Sequence, residues 1–344
     1  MQLANEPPTL LITGSSGYIG THIVGLALRE GYHVRACIRS RTAVPKLEAL
    51  FPEGHERLSF AVVENFTEAE SYRFALYGVT TIVHAASPFN FDTKNMAKEL
   101  LQPAIKGSVA ILEAAKDYGP QCKRIINISS FGAMVDMAQG LRPGYVYSNK
   151  DWNPMSYEEA AASESGGAAY CASKGLAERA MWSWMDKQKN IPFTLSSMNP
   201  AWCFGPYMGK ADLSNLGQSI RGVWSLFTAD AVPATDFAGF VDVRDVAKAV
   251  LLAAESPKAP GHRLLLGTHF DWQTAADIIR EKFPEARKRV PEGCPRAGRT
   301  EPVYSLDGST ATRMLGFEYT PLGVTLEDTV SQLLEAEKRT KPLW

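Results

Sequence analysis

Long apolar runs are missing from this 344-residue sequence: no stretch approaches the roughly 20 residues that a membrane-spanning helix needs. An excess of charge of either sign is missing too. There are 36 Lys and Arg against 37 Asp and Glu, a formal net charge of −1. Without basic stripes or blocks of like charge, neither nucleic acid nor an anionic membrane surface is an expected partner. Cysteine is sparse and unpatterned. Cys37, Cys122, Cys171, Cys203 and Cys294 are odd in number and form no CxxC pair, which argues against a disulfide framework and a zinc site. The histidines also lack ligand spacing, so no metal is expected. A strand pattern begins by Thr9 and leaves no room for the apolar core of a secretory leader. These absences point to reduced thiols, a cytoplasmic location and a small-molecule partner; the sequons at Asn65 and Asn127 carry little weight there.

Strand and helix patterns alternate along the chain. Leu10 to Thr13 is a short β-rich run, followed by a glycine cluster and a helical stretch that Gly31 ends. Val34, Ala36 and Ile38 alternate with small or polar neighbours. Further strands are expected at Ala61 to Val63, Ile82 to Ala85, Ile125 to Ile128, Phe193 to Met198 and Arg263 to Leu266. Ile105, Val109, Leu112 and Ala115 share one helical face, and a second helix follows Tyr170. This order implies an α/β fold, a Rossmann-type doubly wound parallel sheet with a smaller, mainly helical lobe. Residues 1–203 plus 240–268 are expected to form the nucleotide-binding domain, and 204–239 plus 269–344 the substrate lobe. Phe240 to Val243 reads as a strand, with Asp242 as the cap of the next helix.

Thr13-Gly14-Ser15-Ser16-Gly17-Tyr18-Ile19-Gly20 lies between the first strand and the first helix. A pyrophosphate must approach the backbone closely at a helix N-terminus, where free N–H groups and the macrodipole favour anions. Glycines remove the side chains that block this approach. Gly14, Ser16, Gly17, Tyr18, Ile19 and Gly20 are therefore candidate cofactor positions. At the end of the second strand, the carboxylate that would accept a ribose 2′-hydroxyl is replaced by Arg39-Ser40-Arg41, with Lys46 beyond. Cations there suit a 2′-phosphate, so the expected cofactor is NADPH.

Tyr170 and Lys174 are four residues apart at the start of a helix and share a face. A phenol is a poor acid–base group at neutral pH unless nearby positive charge lowers its pKa, and a lysine one turn away supplies that charge. Ser130 closes the Ile125 to Ile128 strand and places a hydroxyl at the carboxyl edge of the sheet, where open α/β folds bind ligands.

Glycine loop, strand-end serine and helical Tyr/Lys pair occur in that order. With His84-Ala85-Ala86-Ser87-Pro88-Phe89, Asn199-Pro200 to Pro206, and Phe240 to Ala247, they make the chain resemble an extended short-chain dehydrogenase/reductase of the dihydroflavonol reductase-like group. It is similar above all to fungal NADPH-dependent aldehyde and ketone reductases. The resemblance runs almost end to end. It implies that Ser130 orients a substrate carbonyl, Tyr170 donates a proton, and Lys174 holds the nicotinamide ribose and lowers the tyrosine pKa. It also implies that Ala85, Ala86 and Ser87 line the cofactor and that Pro200 contacts its nicotinamide end. Two departures stand out. Glu64-Asn65-Phe66 replaces the aspartate that many relatives use for the adenine amino group, leaving Asn65 or Glu64 to accept that bond. The Arg39 loop is also longer than usual, which leaves open whether Arg41 or Lys46 reaches the phosphate.

Phe89, Phe91, Phe131, Val135, Trp202, Phe204 and Trp224 come from loops or strand ends expected around the nicotinamide, where an aromatic and aliphatic lining suits an uncharged, apolar carbonyl compound. Phe89, Phe131, Val135, Trp202 and Trp224 are the substrate candidates. Lys210 and Arg221 read as isolated, solvated cations. The expected function is reduction of a ketone or aldehyde to an alcohol by a monomer or homodimer. The alternatives are a nucleotide-sugar epimerase or dehydratase, and a non-catalytic NADP-sensing regulator.

Overall fold

The computed structural model describes residues 8–88, 93, 95–300 and 302–340. Its strands are β1 (Thr9–Thr13), β2 (His33–Ile38), β3 (Leu58–Val62), β4 (Thr81–His84), β5 (Arg124–Ile128), β6 (Val146–Tyr147), β7 (Thr194–Pro200), β8 (Trp202–Phe204), β9 (Gly239–Asp242), β10 (Arg263–Leu266), β11 (Thr268–His269) and β12 (Ser305–Leu306). Its α-helices are α1 (Tyr18–Arg29), α2 (Val44–Leu50), α3 (Gln102–Tyr118), α4 (Tyr157–Ala161), α5 (Gly166–Lys187), α6 (Gln218–Ser225), α7 (Val243–Glu255), α8 (Trp272–Lys282), α9 (Ser309–Leu315) and α10 (Leu322–Thr340).

Seven strands make one sheet in the order β10-β7-β5-β4-β1-β2-β3, with every pairing parallel. The chain builds outward from β1 to β2 and β3, then crosses back to β4 on the other side. That reversal opens a crevice at the carboxyl ends of β1 and β4. Parallel strands buried on both faces need apolar residues at successive positions. Leu10 and Ile12 accordingly pack toward α1 and α7 with Ile23, Val24, Val246 and Val250. Leu11 points the opposite way, into a layer with Ile111 and Leu112 of α3 and Met181 of α5. The fold expected from the alternation of patterns is the fold observed.

A second core lies beyond β7. β8, β9 and β11 form a three-stranded sheet, covered by α6, α8 and α10 through Phe204, Val223, Phe240, Trp272, Ile279, Leu326 and Val330. Asp242 caps α7 as its sequence suggests, accepting a 2.8 Å bond from the Arg244 amide. The strand before it pairs with β8 and β11 rather than the main sheet, while Ala311 and Leu315 of α9 pack in the first core. We propose the two-lobe division given above as the working description of the chain, with these two elements bridging the halves. Among the described residues, no helix is long and apolar enough to cross a membrane, and all five cysteines are free thiols, four of them buried.

Candidate active site

The turn between β1 and α1 is held so tightly that only glycine fits at two positions. Gly14 has a φ of +66°, and a Cβ there would lie 2.8 Å from the Ala85 carbonyl carbon. A Cβ on Gly20 would lie 2.0 Å from the Gly14 carbonyl oxygen. Thr13 ties the two strand ends of the crevice together: its hydroxyl accepts from the amides of Ala85 at 3.1 Å and Ala86 at 3.0 Å, and meets His84 Nδ1 at 3.0 Å. Ser16 and Gly17 are exposed at the start of α1, which has no side-chain cap. An uncapped helix N-terminus behind a glycine cradle fits a dinucleotide pyrophosphate. Ile19 is half-buried against the first core. The Tyr18 side chain turns away from the cradle and donates to the Gly205 carbonyl at 2.7 Å.

Arg39 and Arg41 are exposed at the carboxyl end of β2, on either side of Ser40, which accepts from the Thr42 amide. Lys46 sits elsewhere. It lines a cavity of about 620 Å³ with Ser16, Gly17, Lys210 and Arg221. The two cations that read as isolated in the sequence are thus brought to the glycine turn. Tyr18 and His22 of α1 anchor the carbonyls of Gly205 and Pro206, and Gln332 of α10 bonds to Tyr207 and Gly209, so the segment lies over the helix start. Asn65 Oδ1 accepts from the amide and hydroxyl of Thr67 at 3.1 and 2.7 Å. That turn occupies the oxygen that the adenine contact would use. Glu64 is exposed beside it.

Ser130, Tyr170 and Lys174 meet at the carboxyl end of β5. The Ser130 side chain comes close enough to Tyr170 to act on its titration, and Ser130 Oγ accepts from the Gly132 amide at 3.0 Å. Gly132 lets this loop close on α5, since a Cβ there would sit 3.1 Å from Cys171 Sγ. Lys174 is buried and donates to the Ile128 carbonyl at 3.2 Å. The electrostatics differ from the sequence expectation. Burial pushes Tyr170 well above its ordinary value, and the Ser130 side chain works against it. Lys174 is itself pulled down to about 8 by burial, partly offset by Glu178. Desolvation dominates because both groups lie out of water on one helix face, and Cys171 and Cys203 add to the rise at Tyr170. His84, also buried, is lowered to about 3, with Lys174 adding to the effect.

Beneath the pair lies a group that motif reading missed. Glu178, one further turn along α5, is buried and pairs with Arg263 of β10 at 2.6 Å. Its carboxylate also accepts from Ser129 Oγ at 2.6 Å, Asn199 Nδ2 at 2.7 Å and Trp182 Nε1 at 3.2 Å. The 170, 174, 178 spacing was the available signal.

On the substrate side, Phe131 and Val135 are buried with Tyr147, Tyr304 and Ala201, and Tyr170 packs against that cluster. Phe237, also missed, contacts both Phe131 and Trp202 edge-on, at centroid distances of 4.8 and 5.5 Å. It joins the first of these residues to the second. Trp224 is not brought to them; it stacks on Phe227 in the second core. Ala85 and Ala86 are half-buried, Ser87 is exposed, and Pro200 is buried at the end of β7. Phe89 and Phe91 lie outside the described residues.

Known proteins share this architecture. The pattern of the NAD dependent epimerase/dehydratase family matches residues 10–267. An NADPH-dependent methylglyoxal reductase of Saccharomyces cerevisiae is 32% identical over 344 residues, 96% of this chain and 99% of its own. A ketoreductase of Aspergillus niger is 32% identical, covering 95% and 97%. The crystal structure of yeast methylglyoxal/isovaleraldehyde reductase complexed with NADPH superposes with a TM-score of 0.91 at 32% identity, covering 96% of this chain and 99% of that one.

Proposed function

The chain belongs to the NAD dependent epimerase/dehydratase family, and we propose that within it Ser130, Tyr170 and Lys174 carry out the reduction of a small carbonyl compound. The protein is an NADPH-dependent reductase of ketones or aldehydes. The observation that carries the catalytic assignment is the meeting of Ser130 and Tyr170 at the sheet edge, one helical turn from a buried lysine that donates to the Ile128 carbonyl. NADPH bound along that edge supplies the hydride. Gly14 to Gly20 would hold its pyrophosphate, and Arg39 its 2′-phosphate. Ser130 orients the carbonyl oxygen by hydrogen bonding, and Tyr170 gives that oxygen its proton. Burial suits the tyrosine to this direction of reaction, because a raised pKa keeps the phenol protonated until the oxygen becomes basic. Lys174 supplies the positive charge that stabilises the phenolate left behind.

The partly buried aromatic walls at Trp202 and Phe237 favour an uncharged, apolar substrate. Free buried thiols at Cys37, Cys122, Cys171 and Cys203 fit a reducing, cytoplasmic setting. Tyr170→Phe tests the assignment. Turnover should fall by about 10²-fold or more, the general-acid contribution, with the NADPH dissociation constant nearly unchanged. Near-normal turnover in that variant rules Tyr170 out as the proton donor.

A further inference from the structure

We infer that Glu178 is a positioning residue for this reaction: buried one helical turn beyond Lys174, its carboxylate fixes the strand end that carries Ser130 and sets an anion behind the catalytic lysine. The inference rests on the assignment of Tyr170 and Lys174 as catalytic residues.

Residues 170, 174 and 178 follow one another at single-turn spacing on α5. The helix thus presents a proton donor, a cation and an anion in a line running inward from the crevice. Glu178 is 1% exposed, and both carboxylate oxygens are occupied. Oε1 accepts from Arg263 Nε and Trp182 Nε1, while Oε2 accepts from Ser129 Oγ and Asn199 Nδ2. The Asn199 amide has a second acceptor, the Ser130 carbonyl at 3.1 Å. One side-chain amide therefore couples the carboxylate to the backbone of the residue that orients the substrate. Ser129, the neighbour of Ser130, is held by the same oxygen.

The charges around the pair come from three elements. On α5, Glu178 is the carboxylate acting on Lys174, and it favours the ammonium. Tyr170, on the same helix, is neutral. His84 on β4 is buried and neutral, with its Nδ1 at Thr13. Arg263 on β10 partly neutralises Glu178 and is itself stacked on Trp152 at 3.4 Å, with Nη1 bonding to the Asn149 and Asp151 carbonyls. Arg179, also on α5, lies over the same tryptophan at 4.3 Å and donates to the Asn153 carbonyl. A buried ion pair is a weak source of stability, because apolar replacements of both partners are often neutral or better. Stability alone thus gives no reason for a carboxylate here, whereas a desolvated catalytic lysine does.

The test is turnover against pH, from about 6 to 10 so as to bracket the lysine, at saturating NADPH and ketone. The variants are Glu178→Gln, Glu178→Asp and the charge-neutral double Glu178→Gln/Arg263→Gln. Loss of the opposing charge should move the alkaline limb of the profile down by about one pH unit in Glu178→Gln, and by less but in the same direction in the double variant, where a more distant cation is lost with the anion. Turnover near the wild-type midpoint then falls several-fold while the ketone KM holds. Glu178→Asp, which keeps the charge, should leave the limb near its wild-type position. An unmoved limb in the folded double variant overturns the inference. So does an equal shift in Glu178→Asp, which would make packing the cause. If Glu178→Gln does not fold, the double variant decides, because it leaves no unpaired guanidinium; if that unfolds as well, the pair is structural and the inference fails. Should Tyr170→Phe remain active, the catalytic assignment fails instead, and an inactive Tyr170→Phe beside an unmoved limb fails only the role of Glu178.

Discussion

Taken out of water at the ends of β4 and β5, Tyr170 rises, Lys174 drops to about 8 and His84 drops to about 3. The histidine has a consequence for stability. Its ordinary value is 6.5, so as pH falls below that, the unfolded chain takes up a proton that the folded chain refuses. The contribution of neutral His84 is complete above pH 6.5 and is lost progressively toward pH 3. At about 1.4 kcal/mol per pH unit, acidification from 6.5 to 5 should remove about 2 kcal/mol. His84→Asn, which keeps a polar atom toward Thr13, should lose this slope. Urea unfolding of both proteins at the two pH values measures it, and identical slopes would contradict the burial argument. His22, lowered by burial as well, is present in both and cancels. At this scale residue types and spacing put forward Ser130, Tyr170 and Lys174 as candidates, the last two because helical period is written in the sequence and the first because it closes an apolar strand. The direction of the tyrosine shift was not legible, since it depends on which apolar side chains surround the phenol in space.

Between β1 and α1, the strand–turn–helix element depends on close backbone approach. Gly20→Ala would push a methyl against the Gly14 carbonyl at 2.0 Å, and because the obstacle is backbone, the turn must open. Opening costs about 1–3 kcal/mol of stability and misaligns the amides facing the pyrophosphate. NADPH affinity should fall by at least about tenfold, the value of one lost charge-assisted bond. A fluorescence titration checks this; unchanged affinity in a folded Gly20→Ala protein would show that the turn does not hold the cofactor. Five strands of the central sheet were readable from short apolar runs, as expected of strands covered on both faces, β2 from its alternation, and edge strand β3 only at its end, where the expected Ala61 to Val63 overlaps the observed Leu58–Val62. β6, β8 and β12 were not readable. They are two or three residues long, and β6 pairs with β12, far along the chain, so no local period announces them. Nor could periodicity assign β9 to the smaller sheet, because a strand's pattern does not name its partner.

Across the whole molecule, the two cores meet where the 205–221 segment folds over the start of α1. Lys46, Lys210 and Arg221 gather there around one cavity with the glycine turn. Chain order separates these residues; the anchoring of Gly205 and Pro206 by Tyr18 and His22, and of Tyr207 and Gly209 by Gln332 of α10, brings them together. The nucleotide edge also carries Arg39, exposed at the end of β2 with no carboxylate beside it at Ser40 or Arg41. The most direct test of an NADPH-dependent carbonyl reductase is kcat/KM for NADPH and for NADH with a ketone substrate, in wild type and in Arg39→Asp. Charge-assisted bonds to the 2′-phosphate predict a wild-type preference for NADPH of about 10- to 100-fold or more. The preference should narrow as salt screens the exposed guanidinium and reverse in Arg39→Asp. Failure of any ketone or aldehyde to drive NADPH oxidation, or equal use of NADH by the wild type, would contradict the account.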